Sequence, residues 1–418
     1  MPNKQVVVTG LGALTPIGLG IEAYWKGLKA GISGAAPITY FDTSEFKTRF
    51  ACELKGYDPK DYLDRREQRR MDAFTHYGLI ATDEAIRDAC LDFEKLDRTR
   101  IGVVVGSGIG GIQTFEEQIG EYHHRQKEGG PKFNPFFIPK MIIDLMPGHI
   151  SMRYGLQGPN YSAVSACATA TNNIIDGWML IQQDLADVVI VGGAEAAITE
   201  GGIGGFNAMK ALSERNDSPE TASRPFDADR DGFVLGEGAG ILVLESREHA
   251  DKRNTSKIYC ELAGIGLTAD AHHMTAPDPE GKGVRMVLEQ VMRTAGVQPE
   301  EVDHINTHGT STPLGDIAET KAIKLVMGEH AKNIQINSTK SMTGHLLGAA
   351  GGIEAIASIL AMQHNIVPPT INHFTDDPEC DLNYTFNTAV EREVNVAISN
   401  TFGFGGHNAS LLFKKVKG

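Results

Sequence analysis

Apolar residues come along this chain in short unbroken runs, each ended by a glycine turn. The runs Ile101-Gly102-Val103-Val104-Val105 and Val188-Val189-Ile190-Val191 show no in–out alternation, which predicts strands buried on both faces. Between such runs the apolar positions change to helical intervals. Ile353, Ile356, Ala357 and Leu360 predict a helix with one apolar face. Strands covered by helices on both sides imply a layered α/β fold. A faint internal repeat runs through the pattern: Val6-Val7-Val8-Thr9-Gly10-Leu11-Gly12 is echoed by Cys260-Glu261-Leu262-Ala263-Gly264-Ile265-Gly266, and Gly238-Ala239-Gly240-Ile241-Leu242 by His407-Asn408-Ala409-Ser410-Leu411. The polar stretch 251–256 is the expected seam, giving halves 1-252 and 253-418.

Composition narrows this picture. A chain of 418 residues exceeds the usual single-core size, so two units or one doubled unit is expected. Met1-Pro2-Asn3-Lys4 leads straight into an apolar strand, leaving no room for a signal peptide, and no apolar run approaches the ~18 residues of a membrane helix. The five cysteines are scattered and lack any CxxC pair, against both a disulfide framework and a zinc cage. A cytoplasmic enzyme is the expectation. The net charge of −14 argues against nucleic-acid or anionic-membrane binding and leaves room only for a local basic patch.

Two motifs fail on their context. Gly106-Ser107-Gly108-Ile109-Gly110-Gly111 matches GxGxxG, but a dinucleotide fold needs a helix next and then a strand with an acidic residue about 20 positions on. The chain instead reaches His123-His124-Arg125-Gln126-Lys127 and Phe133-Asn134-Pro135, which read as a loop. His304 and His308 have metal-ligand spacing for a helix, yet Ile305-Asn306-Thr307 favours a strand, where the rings would stand about 13 Å apart. No metal is expected.

Other segments carry chemistry. Tyr161-Ser162-Ala163-Val164-Ser165-Ala166-Cys167-Ala168 reads as a short strand and a sharp turn, followed by a helix bearing Ile174, Ile175, Trp178 and Ile181. Helix N-terminal N–H groups there favour a thiolate and would lower the Cys167 pKa from its free value of about 8.5. The same residues also describe a small buried cysteine, and the local sequence leaves both readings open. His308, followed by Gly309-Thr310-Ser311-Thr312, and His345, in Lys340-Ser341-Met342-Thr343-Gly344-His345, both occupy strand-to-helix junctions and can converge on one pocket. Ser399-Asn400-Thr401-Phe402-Gly403-Phe404-Gly405-Gly406-His407 follows an expected strand at 394–398. It is either a turn between strands or a mobile loop whose N–H groups face an oxyanion.

Ala166-Cys167-Ala168-Thr169, Asn306-Thr307-His308-Gly309-Thr310-Ser311-Thr312, Asn337-Ser338-Thr339-Lys340 through His345, Asn400-Thr401-Phe402-Gly403-Phe404-Gly405-Gly406, and Asp229-Arg230-Asp231-Gly232-Phe233 through Gly240 together resemble the elongating β-ketoacyl-[acyl carrier protein] synthases. Among these the chain looks most like synthase II. The resemblance implies a thiolase-type fold, two related α/β halves in a five-layered αβαβα arrangement, and a homodimer. It implies Cys167 as nucleophile, the N–H groups of Cys167 and Phe404 as oxyanion hole, His308 and His345 as donors to the malonyl thioester, and Lys340, with Glu354, as organiser of the site. It further implies Ile109, Phe404 and Phe206 as acyl pocket and gate, and Thr310 and Thr312 as pantetheine contacts. Arg66, Arg69, Arg70, Lys132 and Lys210 would receive the acyl carrier protein. No cofactor is implied beyond the phosphopantetheine that the carrier brings. A monovalent ion near Asn306, Ser399 and Asn400 occurs in some relatives and is not expected here. Initiating synthases share the fold but use Cys-His-Asn, whereas this chain has His345 at the third position; a chain-length-factor subunit would lack the cysteine.

Overall fold

The computed structural model describes residues 4–125, 132–255 and 257–416; the Met1-Pro2-Asn3 start, the 126–131 part of the expected loop and the Ser256 end of the expected seam lie outside them. In chain order the main strands are β1 (Val6–Thr15), β2 (Ile101–Gly106), β3 (Asn160–Tyr161), β4 (Val188–Glu195), β5 (Gly238–Ser246), β6 (Cys260–Ala269), β7 (His304–Asn306), β8 (Gln335–Asn337), β9 (Val396–Gly403) and β10 (His407–Lys414). The helices that frame them are α1 (Arg65–Arg70), α2 (Ala73–Asp88), α3 (Ile112–Arg125), α4 (Phe137–Met141), α5 (Leu145–Tyr154), α6 (Thr169–Gln182), α7 (Lys282–Ala295), α8 (Pro313–Met327) and α9 (Ala350–His364).

The strands lie in the order β8-β7-β9-β10-β6-β1-β5-β4-β2-β3, which reads the same from the centre outward in either direction. The strand senses repeat as well: β1–β5 and β5–β4 are antiparallel with β4–β2 and β2–β3 parallel, and β6–β10, β10–β9, β9–β7 and β7–β8 match them. Among the described residues, the pairs Val7↔Glu261 and Val8↔Cys260 join the two sets of strands. Five layers result, with α2 outside the first sheet, α6 and α9 between the sheets, and α7 and α8 outside the second.

Period-two burial distributes each strand between layers. Val104, Val191 and Leu242 face the central core with Ile174 and Ile353, while Val103, Ile190 and Val243 face the outer core with Phe74 and Ile80. The repeated glycines have a packing reason. A Cβ at Gly10 or Gly12 would stand 2.3 or 1.9 Å from the Ala85 or Ala81 carbonyl of α2, and one at Gly264 or Gly266 would stand 2.4 or 2.6 Å from the Val291 or Val287 carbonyl of α7. Each half thus seats its outer helix directly on strand backbone.

Two expectations change. The helix over Ile353 and Leu360 has no polar face: every residue of α9 from Ala350 to Met362 is buried, Glu354 included, because sheets cover it from both sides. After the glycine motif a helix does follow, and His123, His124 and Arg125 form its last turn rather than a loop. No helix among the described residues is long and apolar enough to cross a membrane.

Candidate active site

Beyond β3 the chain enters one turn of 3-10 helix, Ala166–Ala168, and continues as α6. Ala166 takes φ +50°, a left-handed conformation that a side-chain-bearing residue holds only under constraint, and the strain turns the Cys167 thiol toward the second half. The constraint is the β9–β10 hairpin. A Cβ on Gly403 would lie 2.6 Å from the Ser165 carbonyl and 3.3 Å from the Cys167 nitrogen, so glycine alone lets the hairpin tip rest on the elbow. The Phe404 N–H thereby reaches the thiol. The expected loop from Ser399 is shorter than the sequence implies: Ser399, Asn400 and Thr401 are paired with Leu411, Ser410 and Ala409, and three residues make the turn.

His308 stands two residues past β7, which is shorter than the expected strand. Glu319 of α8 fixes its loop, accepting the His308 and Gly309 N–H groups at 3.0 and 2.9 Å and the Asn400 amide at 3.2 Å. His345 is held by main chain, donating its N–H to the Val234 carbonyl at 2.7 Å and accepting from Gly236 N–H at 3.0 Å. The two imidazoles meet edge to face with centroids 5.3 Å apart; Phe233 flanks His345 at 5.3 Å and Phe402 flanks His308 at 5.4 Å. Cys167, His308, His345, Phe206, Phe404, Thr310, Thr312 and Lys210 all line one cavity of about 430 Å³. Lys340 is 1% exposed and ion-paired with buried Glu354 beside this cavity, which excludes a surface lysine.

The electrostatics correct one expectation. The Cys167 thiol is pushed up to about 12, not down, because burial costs the thiolate more than Lys340 and the N–H groups of Phe404 and Cys167 return. Burial, then Lys340, hold both His308 and His345 well below the ordinary imidazole value, so they stand neutral. Burial pushes Glu319 and Glu354 up to about 7. Among the described residues no group of three or more His, Cys, Asp or Glu is arranged around a metal position. Asn306 and Ser399 bury side-chain amide and hydroxyl atoms that find no partner within the protein, polar groups of the kind that an ordered water satisfies.

Some expected residues lie elsewhere. Ile109 does not line the cavity and is 39% exposed, since the N–H groups of its loop bind inward to Glu195 and its side chain is left on the outer surface. The same contact disposes of the nucleotide motif, whose amides hold a carboxylate of the protein itself. Arg66, Arg69 and Arg70 lie on α1, with Arg70 over the Phe136 ring, and exposed Lys132 is also away from the cavity; only Lys210 of that set stands at its lining. Glu319 and Glu195 escaped the sequence reading. Neither sits in a recognisable motif, and each acts on a loop distant along the chain.

A nucleophile at the elbow of one half and neutral histidines at the matching edge of the other define a condensing enzyme of the thiolase-type fold. Residues 3–250 match the Beta-ketoacyl synthase, N-terminal domain, and residues 259–374 match the Beta-ketoacyl synthase, C-terminal domain. The chain is 50% identical over 414 residues to the 3-oxoacyl-[acyl-carrier-protein] synthase 2 of Staphylococcus aureus (strain COL), covering 99% of each, and 49% identical over 415 residues to that of Synechocystis sp., again covering 99% of each. In structure it is similar to a beta-ketoacyl synthase from Burkholderia phymatum STM815 (TM-score 0.90, 32% identity, 99% of this chain and 100% of that one). It is equally similar, with the same TM-score, identity and coverage, to a ketosynthase bound to a hexaketide in complex with its type II PKS acyl-carrier protein. The chain belongs to the β-ketoacyl synthase family.

Proposed function

We propose that this enzyme elongates fatty acyl chains by decarboxylative condensation, giving 3-oxoacyl-[acyl carrier protein] and CO₂. The convergence of Cys167, His308 and His345 on one buried cavity carries the reading. Cys167 Sγ attacks the carrier-bound thioester; the carbon–sulfur bond to pantetheine breaks and the Cys167 proton leaves on the pantetheine thiol, so a thiol with a raised pKa needs no net deprotonation. The N–H groups of Cys167 and Phe404 hold the oxyanion of that step, each donor being worth roughly 3 kcal/mol. Malonyl thioester then enters beside Thr310 and Thr312. His308 and His345, neutral and therefore able to both donate and stay uncharged, hydrogen-bond its carbonyl as the bond to CO₂ breaks, leaving the electron pair as an enolate. The enolate carbon attacks the acyl-cysteine and expels the thiolate. No cofactor beyond the carrier's phosphopantetheine enters.

In this reading the nucleophile belongs to a half spanning 1-252 and the histidines to 253-418, and the cytoplasm is the site of action. A homodimer completes the molecule. Edge strand β3 exposes Tyr161, and Val164, three residues further on, is 53% exposed, an apolar edge of the kind that a second copy covers. Acyl carrier protein is the partner for both substrates. The test is Cys167→Ser: wild type incubated with acyl carrier thioester gains one acyl mass and the variant gains none. Stoichiometric acylation of another cysteine overturns the assignment.

A further inference from the structure

Arg230 lies in the segment of the first half that leads to Phe233 and β5, and it is 6% exposed. Its guanidinium is held on several sides. Nη1 donates to the Asp227 carbonyl at 2.6 Å and to Asp377 Oδ2 at 2.7 Å, Nη2 donates to the Pro313 carbonyl at 3.0 Å, and Nε donates to the Thr312 carbonyl at 3.3 Å. Asp316 Oδ2, in the first turn of α8, lies 3.4 Å from Nε. A cation at the start of a helix opposes the helix dipole and loses its water on burial, so Asp316 and Asp377 are what hold it there.

The carbonyls that Arg230 grips belong to the residues that open α8. Just before them Ser311 takes φ +68°, a left-handed conformation without a glycine, and the first half fixes it at two more points: Arg224 N–H donates to Ser311 Oγ at 3.0 Å and Gly232 N–H to the Ser311 carbonyl at 3.1 Å. A threonine at a helix start ordinarily caps it, its hydroxyl accepting an N–H two or three residues on. Thr312 makes no such bond. Its Oγ1 stands 3.0 Å from Thr310 Oγ1 instead, and both residues line the Cys167 cavity. Gly315 leaves the space, since a Cβ there would come within 2.6 Å of Thr312 Oγ1. The hydroxyl pair is withheld from the helix and kept at the cavity, on backbone that Arg230 anchors.

We infer that Arg230 is a positioning residue that fixes the Thr310–Thr312 hydroxyl pair for the pantetheine arm, an inference that rests on the proposed condensation and on these threonines as pantetheine contacts. Pantetheine is common to acyl and malonyl carriers and lies outside the reacting bonds. Displacing its contacts therefore weakens ground state and transition state alike, which raises KM for both substrates and spares kcat. Arg230→Lys keeps the charge that Asp316 and Asp377 neutralise, but three donors on one nitrogen cannot replace a planar fork that reaches carbonyls on separate segments. Asp377→Ala is the milder variant, removing one acceptor and sparing the guanidinium.

The experiment measures kcat and KM for acyl-carrier and malonyl-carrier thioesters in full-length wild type, Arg230→Lys, Asp377→Ala, the pair Thr310→Val with Thr312→Val, and Arg230→Lys combined with that pair. The rate of Cys167 alkylation by iodoacetamide, which carries no pantetheine, reports the catalytic end of the cavity. Arg230→Lys is expected to raise KM for both carriers by about tenfold and Asp377→Ala by about threefold, the size of one or two weakened hydrogen bonds, with kcat and alkylation within about twofold of wild type. In the combined variant Arg230→Lys should add nothing to the rise that the threonine pair produces. A fall in kcat or in alkylation as large as the rise in KM shows a general loosening and overturns the inference, as does a full effect of Arg230→Lys on top of the threonine pair. Should Arg230→Lys fail to fold, Asp377→Ala decides by the same criteria. A threonine pair that raises KM while neither Arg230→Lys nor Asp377→Ala does so sinks the positioning role alone; a threonine pair that leaves KM unchanged sinks the pantetheine reading and the inference with it. Wild type that forms no 3-oxoacyl product strikes the condensation itself, and both fall.

Discussion

His308 and His345 hold protons less tightly than a free imidazole because burial strips solvent from the cationic form and Lys340 adds positive charge close by. Their folded values lie below the unfolded value of about 6.5, so the unfolded chain takes up protons first as pH falls. The stability they contribute is therefore complete above that pH and is withdrawn below it. Glu319 and Glu354 act in the opposite sense: pushed up to about 7, they keep protons in the folded state that the unfolded carboxyls have lost, so their contribution is present in acid and fades as pH rises toward 7. If His308 and His345 act as proposed, their depressed imidazoles place the acid limb of CO₂ release from malonyl carrier below pH 6.5. Lys340→Met leaves the burial of both histidines in place but removes the cation that adds to their depression, and it also leaves Glu354 more readily protonated. Its acid limb should move to higher pH, with the rate at neutral pH lower by ~10²-fold. A limb that stays in place while the rate falls would disconnect Lys340 from the histidines.

Between elements, the site is made where the β9–β10 hairpin of one half touches the elbow before α6 of the other. Gly403 is the contact, and Gly403→Ala would push a methyl group into the Ser165 carbonyl 2.6 Å away. Relief requires the hairpin to back off, and the Phe404 N–H moves with it. Acyl-enzyme formation is expected to slow by ~10²-fold, the usual loss of one oxyanion donor, with a stability cost of about 1–3 kcal/mol from overpacking. Rapid-quench acylation and thermal denaturation read these separately, and unchanged acylation would free the oxyanion hole from the hairpin. The case also shows what local sequence can carry. Cys167, His308 and His345 were legible because each stands in its own short motif at a strand-to-helix junction. Lys340 was legible for the same reason, whereas the paired glycines of β1 and β6, which read as turns that end the strands, lie inside unbroken strands where the outer helices press on them. Glu195 and Glu319 were not legible, since each acts across a fold contact on a loop far along the chain. The thiol pKa was misjudged because helix N-terminal amides are a local feature and burial is not. The length of β9 was misjudged because Ser399-Asn400-Thr401 is polar in sequence yet sits in a fully buried ladder.

Across the whole molecule the net charge of −14 opposes any acidic partner, so carrier docking depends on where the positive charge is left unneutralised. Helix α1 is such a place. Its one carboxylate, Glu67, is already committed to the Asp64 N–H in a capping box and to Arg153, while Arg70 lies over the Phe136 ring. Arg66 and Arg69 are exposed and take no part in these pairings, which leaves two guanidinium groups for a partner. Lys210, at the lining of the Cys167 cavity, is a third exposed cation, placed where a pantetheine arm would enter. A solvated helix face would look the same, and charge reversal separates the two. Arg66→Glu with Arg69→Glu should raise KM for carrier-bound acyl substrate by about tenfold at low ionic strength, and by less at physiological salt, where charges farther apart than about 8 Å are screened. Small thioester analogues that lack the carrier bypass the docking surface, so their kcat/KM ratio between variant and wild type serves as the internal reference. A loss of the same size on analogue and carrier substrate, or one that salt leaves unaltered, would show that α1 contributes to the fold and not to docking.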